Sequence, residues 1–426
     1  MQVGRWSWGI GVALVMAPAC GGDKHGAADT VGDGSAPDTL GDIAVDSVDS
    51  VEPADSALAD TAAPDTQAVD TQVVDSARDD SKADSTVDTA VADTSEPGDT
   101  ADTRETNVEP PKEVRFVVLG DTGEGNDEQK KVAAAIAEKC QADGCDFAIL
   151  LGDNIYNAGV ESTLDAQWES KFEGPYRDLD MPFYAVLGNH DNGGFLTQLL
   201  GDTFGGAGAE FERGDIQVAY TQLSEKWRMP ARTYDFAFGP AHFFALDTND
   251  MVWSYANGGA EARTQIQVDS LPDEIDSAPE TWRIAFGHHP LFSNGTHGNA
   301  GAYEGLEEGI TDLVANIPGL GDLQAVVTGD GVQESLDVIV CGRVDLYFAG
   351  HDHSRQWLGP MADCPGTTFV VSGAGSKLTE IKGSHPALFQ SADKEGFFWV
   401  HLKDRQIEVA AIDLDGTVEW TWSGAK

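Results

Sequence analysis

Five apolar runs in this chain stop at a glycine, and in each case Asp, Asn or His comes next: Gly120-Asp121, Gly152-Asp153, Gly188-Asn189, Gly287-His288 and Gly350-His351. The runs themselves (114–119, 147–151, 183–187, 284–286 and 344–349) carry no polar face. They read as strands buried on both sides. Helical patterns lie between them, at 127–139, 162–172, 260–271 and 303–315, and strands alternating with helices make an α/β protein. Polar residues directly after strand ends collect along one edge of a sheet, where loops converge. Beyond Thr367 the helical patterns cease, and 369–372, 397–402, 407–412 and 417–422 read as antiparallel strands completing a second sheet.

Composition divides the 426 residues sharply. Residues 1–20 hold one charge, Arg5, and a short apolar run at 10–17, followed by Ala19-Cys20-Gly21-Gly22. A membrane span needs ~20 apolar residues, so this is read as an export signal, of the lipoprotein type that ends at a lipidated Cys20. Ala17 stands where leucine is more usual, which keeps ordinary signal cleavage as the alternative. Residues 21–111 contain no Phe, Trp or Tyr and carry 23 acidic against 4 basic side chains. Such a segment cannot form a core, and self-repulsion should keep it extended as a disordered tether; an adhesive or cation-collecting stalk is the functional alternative.

The fold must therefore lie in 112–426, which carries a net charge of about −28. That charge argues against a nucleic-acid partner, which would need a basic stripe. The catalytic unit is expected to be monomeric. Apart from Cys20, four cysteines remain, and in an exported protein sequence proximity favours the pairs Cys140–Cys145 and Cys341–Cys364. A zinc site is the competing reading, weakened by the lack of any Cys-x-x-Cys spacing.

Taken singly, an Asp after a strand glycine is an ordinary turn in which the carboxylate caps a backbone amide. The combination is different. Asp121, Asp153, Tyr156, Asn189, His288, His351 and His353 together supply the oxygen and imidazole donors that two hard or borderline metals need, with a carboxylate to share between them.

The segments Gly152-Asp153-Asn154-Ile155-Tyr156, Gly188-Asn189-His190-Asp191, Gly287-His288-His289-Pro290 and Gly350-His351-Asp352-His353 resemble those of the purple acid phosphatases, the small tartrate-resistant type in particular, within the calcineurin-like metallophosphoesterases. Lys226-Trp227-Arg228-Met229-Pro230, Leu246-Asp247-Thr248 and Ser372-Gly373-Ala374-Gly375 extend the likeness over nearly all of 113–424. The resemblance implies a four-layer αββα sandwich of two mixed sheets. It also implies that Asp121, Tyr156 and His353 bind a ferric ion, that Asp153 bridges, and that Asn189, His288 and His351 bind a divalent ion of iron, zinc or manganese. His190 and His297 would face the phosphate and its leaving group, with Asp191 orienting His190 and hydroxide attacking phosphorus in line. The implied substrate is a small phosphate monoester. His289 reads as a pocket wall, and Asp247 as either a second-layer partner or a strand-end cap.

Tyr156 separates this chain from the wider superfamily, whose first motif is Asp-x-His; here the third position is Gly123. Three anionic ligands leave a ferric–divalent pair positive even after a hydroxide binds, whereas two divalent ions would leave no net charge to attract phosphate. The departures from the family are Thr122 in place of Trp, Asn192 where the mammalian type often has His, and an insertion near 318–336. If that insertion widens the pocket, a phosphodiesterase or nucleotide hydrolase is the alternative function. A surface interaction protein with incidental activity is the third reading, opposed by seven intact ligands.

Overall fold

The computed structural model describes residues 111–193, 208–303 and 321–426. The expected leader, the linker up to residue 110 and the expected helix beyond Tyr303 lie outside them. In chain order the elements are β1 (Glu113–Leu119), α1 (Asp127–Asp143), β2 (Phe147–Leu150), β3 (Phe183–Ala185), α2 (Phe211–Tyr220), β4 (Trp227–Arg228), β5 (Tyr234–Phe238), β6 (Ala241–Ala245), α3 (Thr248–Trp253), α4 (Gly258–Ser277), β7 (Trp282–Phe286), α5 (Gly321–Thr328), α6 (Asp330–Ile339), β8 (Leu346–Ala349), β9 (Arg355–Leu358), β10 (Thr368–Ser372), β11 (Ala387–Ser391), β12 (Gly396–Lys403), β13 (Gln406–Asp413) and β14 (Val418–Ala425). They form two seven-stranded sheets, ordered β14-β13-β12-β1-β2-β3-β4 and β11-β9-β10-β8-β7-β6-β5.

Alternation along β1 explains the layering. Val117 and Leu119 face outward onto Val132 and Ile136 of α1, while Phe116 and Val118 face inward onto Phe243, Phe286 and Phe348 of the other sheet. The second sheet repeats this, with Phe244 and Tyr347 turned onto Leu271 and Ile275 of α4 and Leu336 of α6. The result is helix, sheet, sheet, helix, the expected four layers. Strands buried on both faces need apolar residues at every position, which is why the runs show no alternation in sequence.

Phe116 lies at the centre, with ring centroids 5.4 Å from Phe147 and 5.3 Å from Phe243. Phe116→Leu keeps most of the apolar volume and loses these ring contacts, so a loss of about 1–3 kcal/mol is expected in urea unfolding.

Two expectations need correction. The helical pattern at 162–172 does not form an α-helix: the Asp165 carboxylate accepts the backbone N–H groups of Glu161 and Gln167, both at 3.0 Å, holding the segment in turns. The chain winds only from Gln167 onward, where a short α-helical start leads into a π-helix at Glu169–Glu173. The C-terminal strands, moreover, do not complete the second sheet together. β12 pairs antiparallel with β1, opposing Phe116 to Val400, so β12 to β14 extend the first sheet. β10 alone of the four joins the second, parallel to β8. Alternation fixes which face of a strand is buried, not which neighbour it pairs with. The short strands β4, β5, β6, β9 and β11 were not anticipated. The described part of the insertion forms α5 and most of α6, and Val332 and Leu336 pack into the helical layer under the second sheet.

Both cysteine pairs form disulfides, Cys140–Cys145 and Cys341–Cys364. No sulfur among them is left for zinc.

Candidate metal centre

Asp121 and Asp153 follow β1 and β2 in left-handed backbone conformations, with φ of 56° and 51°, and His351 follows β8 at φ 69°. L-residues adopt such angles at a cost of order 1 kcal/mol or more, and they cluster where a fold aims side chains for function. The two first-sheet loops are zipped together: Gly123 N–H donates to Asp153 O at 3.1 Å and Tyr156 N–H to Gly123 O at 3.0 Å. A Cβ at position 123 would overlap the backbone of Asn154 and Ile155. No histidine fits there, and the same close approach carries the Tyr156 hydroxyl to 3.0 Å from Asp121 Oδ1, 2.9 Å from Asp153 Oδ2 and 3.3 Å from His353 Nε2.

A second group lies on the other side of Asp153. Its Oδ1 is 3.5 Å from His288 Nε2, which in turn is 2.9 Å from Asn189 Oδ1 and 3.1 Å from His351 Nδ1. All seven expected ligands are thus brought together, in the two subsets that the resemblance implied, with Asp153 between them. The first sheet contributes Asp121, Asp153, Tyr156 and Asn189. The second contributes the three imidazoles.

The donor chemistry suits a metal pair. His288 Nδ1–H donates to the Leu151 carbonyl at 2.8 Å, so in the neutral ring Nε2 carries a lone pair. That lone pair meets Asn189 Oδ1 and His351 Nδ1; a proton on His351 satisfies one of these contacts, and a cation satisfies both. On the other side two buried carboxylates share one phenolic proton. Burial pushes the Asp121 carboxyl up to about 8, with the Asp153 charge adding to it against the pull of His288. Asp153 is lowered, because the charges of His288 and His190 and the His190 N–H outweigh its burial. Tyr156 is raised well above 10 by burial and by both carboxylates. Only a strongly charged cation would make it a phenolate here.

Of the surrounding residues, some lie where the resemblance implied and others do not. His190 donates from Nδ1 to Asn157 O at 2.6 Å, and its ring stands edge-on to Tyr156 at 4.5 Å. His297 reaches the site on a loop, with its ring 4.4 Å from that of His351. Asp191, expected to orient His190, makes no hydrogen bond to it. Its fully buried carboxylate instead accepts from Asn154 N (2.9 Å), Asn154 Nδ2 (2.9 Å), Ile155 N (3.1 Å), Gly188 N (2.9 Å) and Gln217 Nε2 (2.8 Å). It holds the two ligand loops together from behind. Asn192 likewise points away, bonding Gly188 O and Arg232. Asp247 is the N-cap of α3, accepting from Asn249 and Asp250, and pairs with Arg232 at 2.9 Å. His289 is a buried wall, its Nδ1 2.9 Å from Thr248 Oγ1; burial first, then the charge of His288, lowers its pKa well below 6.5.

Several contributors were assigned no role from the sequence. Thr248 Oγ1 accepts the backbone N–H groups of both His288 and His289, at 3.2 and 3.0 Å. Asp352 is fully buried and holds the His297 loop through His297 N at 2.7 Å and the Ser293 hydroxyl. Lys377 places Nζ 3.3 Å from the centroid of the Tyr156 ring.

Residues 114–355 match the family model for calcineurin-like phosphoesterase. The chain is 27% identical over 321 residues to purple acid phosphatase 7 of Arabidopsis thaliana, covering 71% of this chain and 83% of that one. Tartrate-resistant acid phosphatase type 5 of Sus scrofa is 25% identical over 354 residues, covering 75% and 89%. Among solved structures, GAP50, the anchor in the inner membrane complex of Plasmodium, superposes with a TM-score of 0.52 at 20% identity, over 74% of this chain and 89% of that one. The purple acid phosphatase PPD1 of yellow lupin gives 0.51 at 16% identity, over 74% and 54%. These two likenesses show the fold. Since the family match takes in more than half of the chain, including every strand that carries a candidate ligand, this protein belongs to the calcineurin-like phosphoesterases and is a metal-dependent phosphatase similar to the purple acid phosphatases.

Proposed function

We propose that this chain is an exported acid phosphatase that hydrolyses phosphate monoesters with a ferric ion and a divalent ion of iron, zinc or manganese. The observation that carries the ferric assignment is the Tyr156 oxygen, 3.0 Å from Asp121 and 2.9 Å from Asp153 in a fully buried setting. When bound, the pair supplies Lewis acidity toward phosphate oxygens and a water acidic enough to attack phosphorus in line at low pH. Asp121, Tyr156 and His353 would hold the ferric ion and Asn189, His288 and His351 the divalent one, with Asp153 available to both. His190 is fixed through Nδ1, which leaves Nε2 as the ring nitrogen for substrate. His190 and His297 provide the hydrogen bond or proton that the departing alkoxide needs. Asp352 and Thr248 act by holding the loops of His297 and His288.

Export is supported by two disulfides, which persist in oxidising compartments. On this reading residues 1–20 are the signal, Cys20 carries the lipid that attaches the protein to a membrane, 21–111 tether it, and 112–426 form a monomeric catalytic unit. Among the described residues no helix is long and apolar enough to cross a membrane.

The purified protein is expected to be coloured, to contain one iron and a second metal per chain, and to cleave aryl phosphate monoesters faster than diesters. Tyr156→Phe should remove the visible band, because its donor is the phenolate. A colourless, iron-free protein that still hydrolyses the monoester would overturn the ferric assignment and leave the phosphatase standing.

A further inference from the structure

One charged side chain near the centre has no part in binding metal or substrate on the reading above, yet touches a ligand directly. Lys377 Nζ lies 3.3 Å from the centroid of the Tyr156 ring. The residues just before it in the chain are tied to the loop that carries Asp121: Ser376 Oγ donates to Asp121 O at 2.6 Å and Gly375 N to Gly120 O at 3.0 Å. The ammonium is paired on its outer side with Glu124 Oε1 at 3.0 Å, and both side chains are partly shielded, 26% and 31% exposed. Glu124 follows Gly123, so the anion partner comes from the turn that admits Tyr156 in the first place.

We propose that Lys377 is an electrostatic partner of the Tyr156 phenolate that sets the energy of its ring electrons and hence the colour and redox poise of the ferric ion. The inference rests on the ferric reading above and extends it to a residue outside the ligand set. A cation over an aromatic face is attracted by the ring's electron density, an attraction that grows when desolvated and when the ring is anionic. The ammonium therefore lowers the energy of the electrons that a phenolate donates toward iron, so the charge-transfer band lies at shorter wavelength than the phenolate alone would give. The same positive charge favours the reduced ion. Glu124 partly cancels this field.

The two members of the ion pair then have opposite effects, which a purely structural salt bridge would not show. In the full-length, metal-loaded protein, Lys377→Met is expected to move the visible band to longer wavelength and lower the iron reduction potential. Glu124→Gln should move both the other way, and Lys377→Arg should return them toward wild type. Equal shifts in Lys377→Met and Glu124→Gln, or an unmoved band in both with colour retained, would overturn the role of Lys377 and leave the ferric site intact. A colourless wild type would instead overturn the ferric reading and this proposal with it.

Discussion

Asp153→Asn is expected to lose both metals from the purified protein and to lower kcat by about a thousandfold, equivalent to ~4 kcal/mol of transition-state stabilisation. Among the described residues Asp153 is the carboxylate that faces both ligand subsets, with Oδ2 2.9 Å from Tyr156 and Oδ1 3.5 Å from His288. An amide offers one acceptor oxygen in place of two and no charge, so it cannot serve both sides. The metal-stripped proteins should differ in the opposite sense. Burial and Asp153 hold the Asp121 carboxyl up to about 8, against about 4 in an unfolded chain. A raised folded pKa means that the native state binds more protons at this group, so the contribution of Asp121 to the stability of the metal-stripped protein is present below about 4 and is lost as pH rises to about 8. Removing the Asp153 charge should lower the Asp121 pKa and narrow that window. The check is metal analysis, turnover of an aryl phosphate, and urea unfolding with chelator across the window. Full activity with both metals retained would defeat the two-metal assignment.

Asp191→Asn is expected to destabilise the fold by about 3–5 kcal/mol, or to prevent folding, because one acceptor oxygen is replaced by an amide donor facing N–H groups already aimed at it. Five donors converge on this carboxylate, from Asn154, Ile155, Gly188 and Gln217. A residue that oriented His190 would show the reverse pattern, with kcat reduced and the urea midpoint unchanged. Measuring both quantities on one preparation separates the two, and a catalytic defect without a stability defect would overturn the placement described above.

The same residue shows where the sequence stopped being informative. That the seven candidate ligands would come together was legible, because each follows or lies within a few residues of an apolar run that ends at glycine. The direction of Asp191 was not. His190–Asn192 form a single 3₁₀ turn, which swings successive side chains by about a third of a revolution. Thus His190 faces the site while Asp191 faces the protein, and no residue identity announces that rotation. The roles of Thr248, Asp352 and Lys377 were illegible for a related reason: each acts through a contact made across loops distant in sequence, with no spacing rule to mark it. The sheet membership of β12 to β14 depended on pairing with β1, almost three hundred residues away in the chain.

The division of donors between the sheets has a consequence for how the protein matures. Every oxygen donor, Asp121, Asp153, Tyr156 and Asn189, precedes every imidazole, His288, His351 and His353, in the order of synthesis. On the proposed assignment each metal position draws on both groups, so neither would be complete until the late strands β7 and β8 have docked. A chain threaded through a membrane unfolded, amino end first, therefore carries no assembled centre with it. On the export proposed above, metal acquisition would be the last event of folding and would take place where the protein is delivered, which would make the ion supply of that compartment, rather than of the cytoplasm, the determinant of which pair it holds.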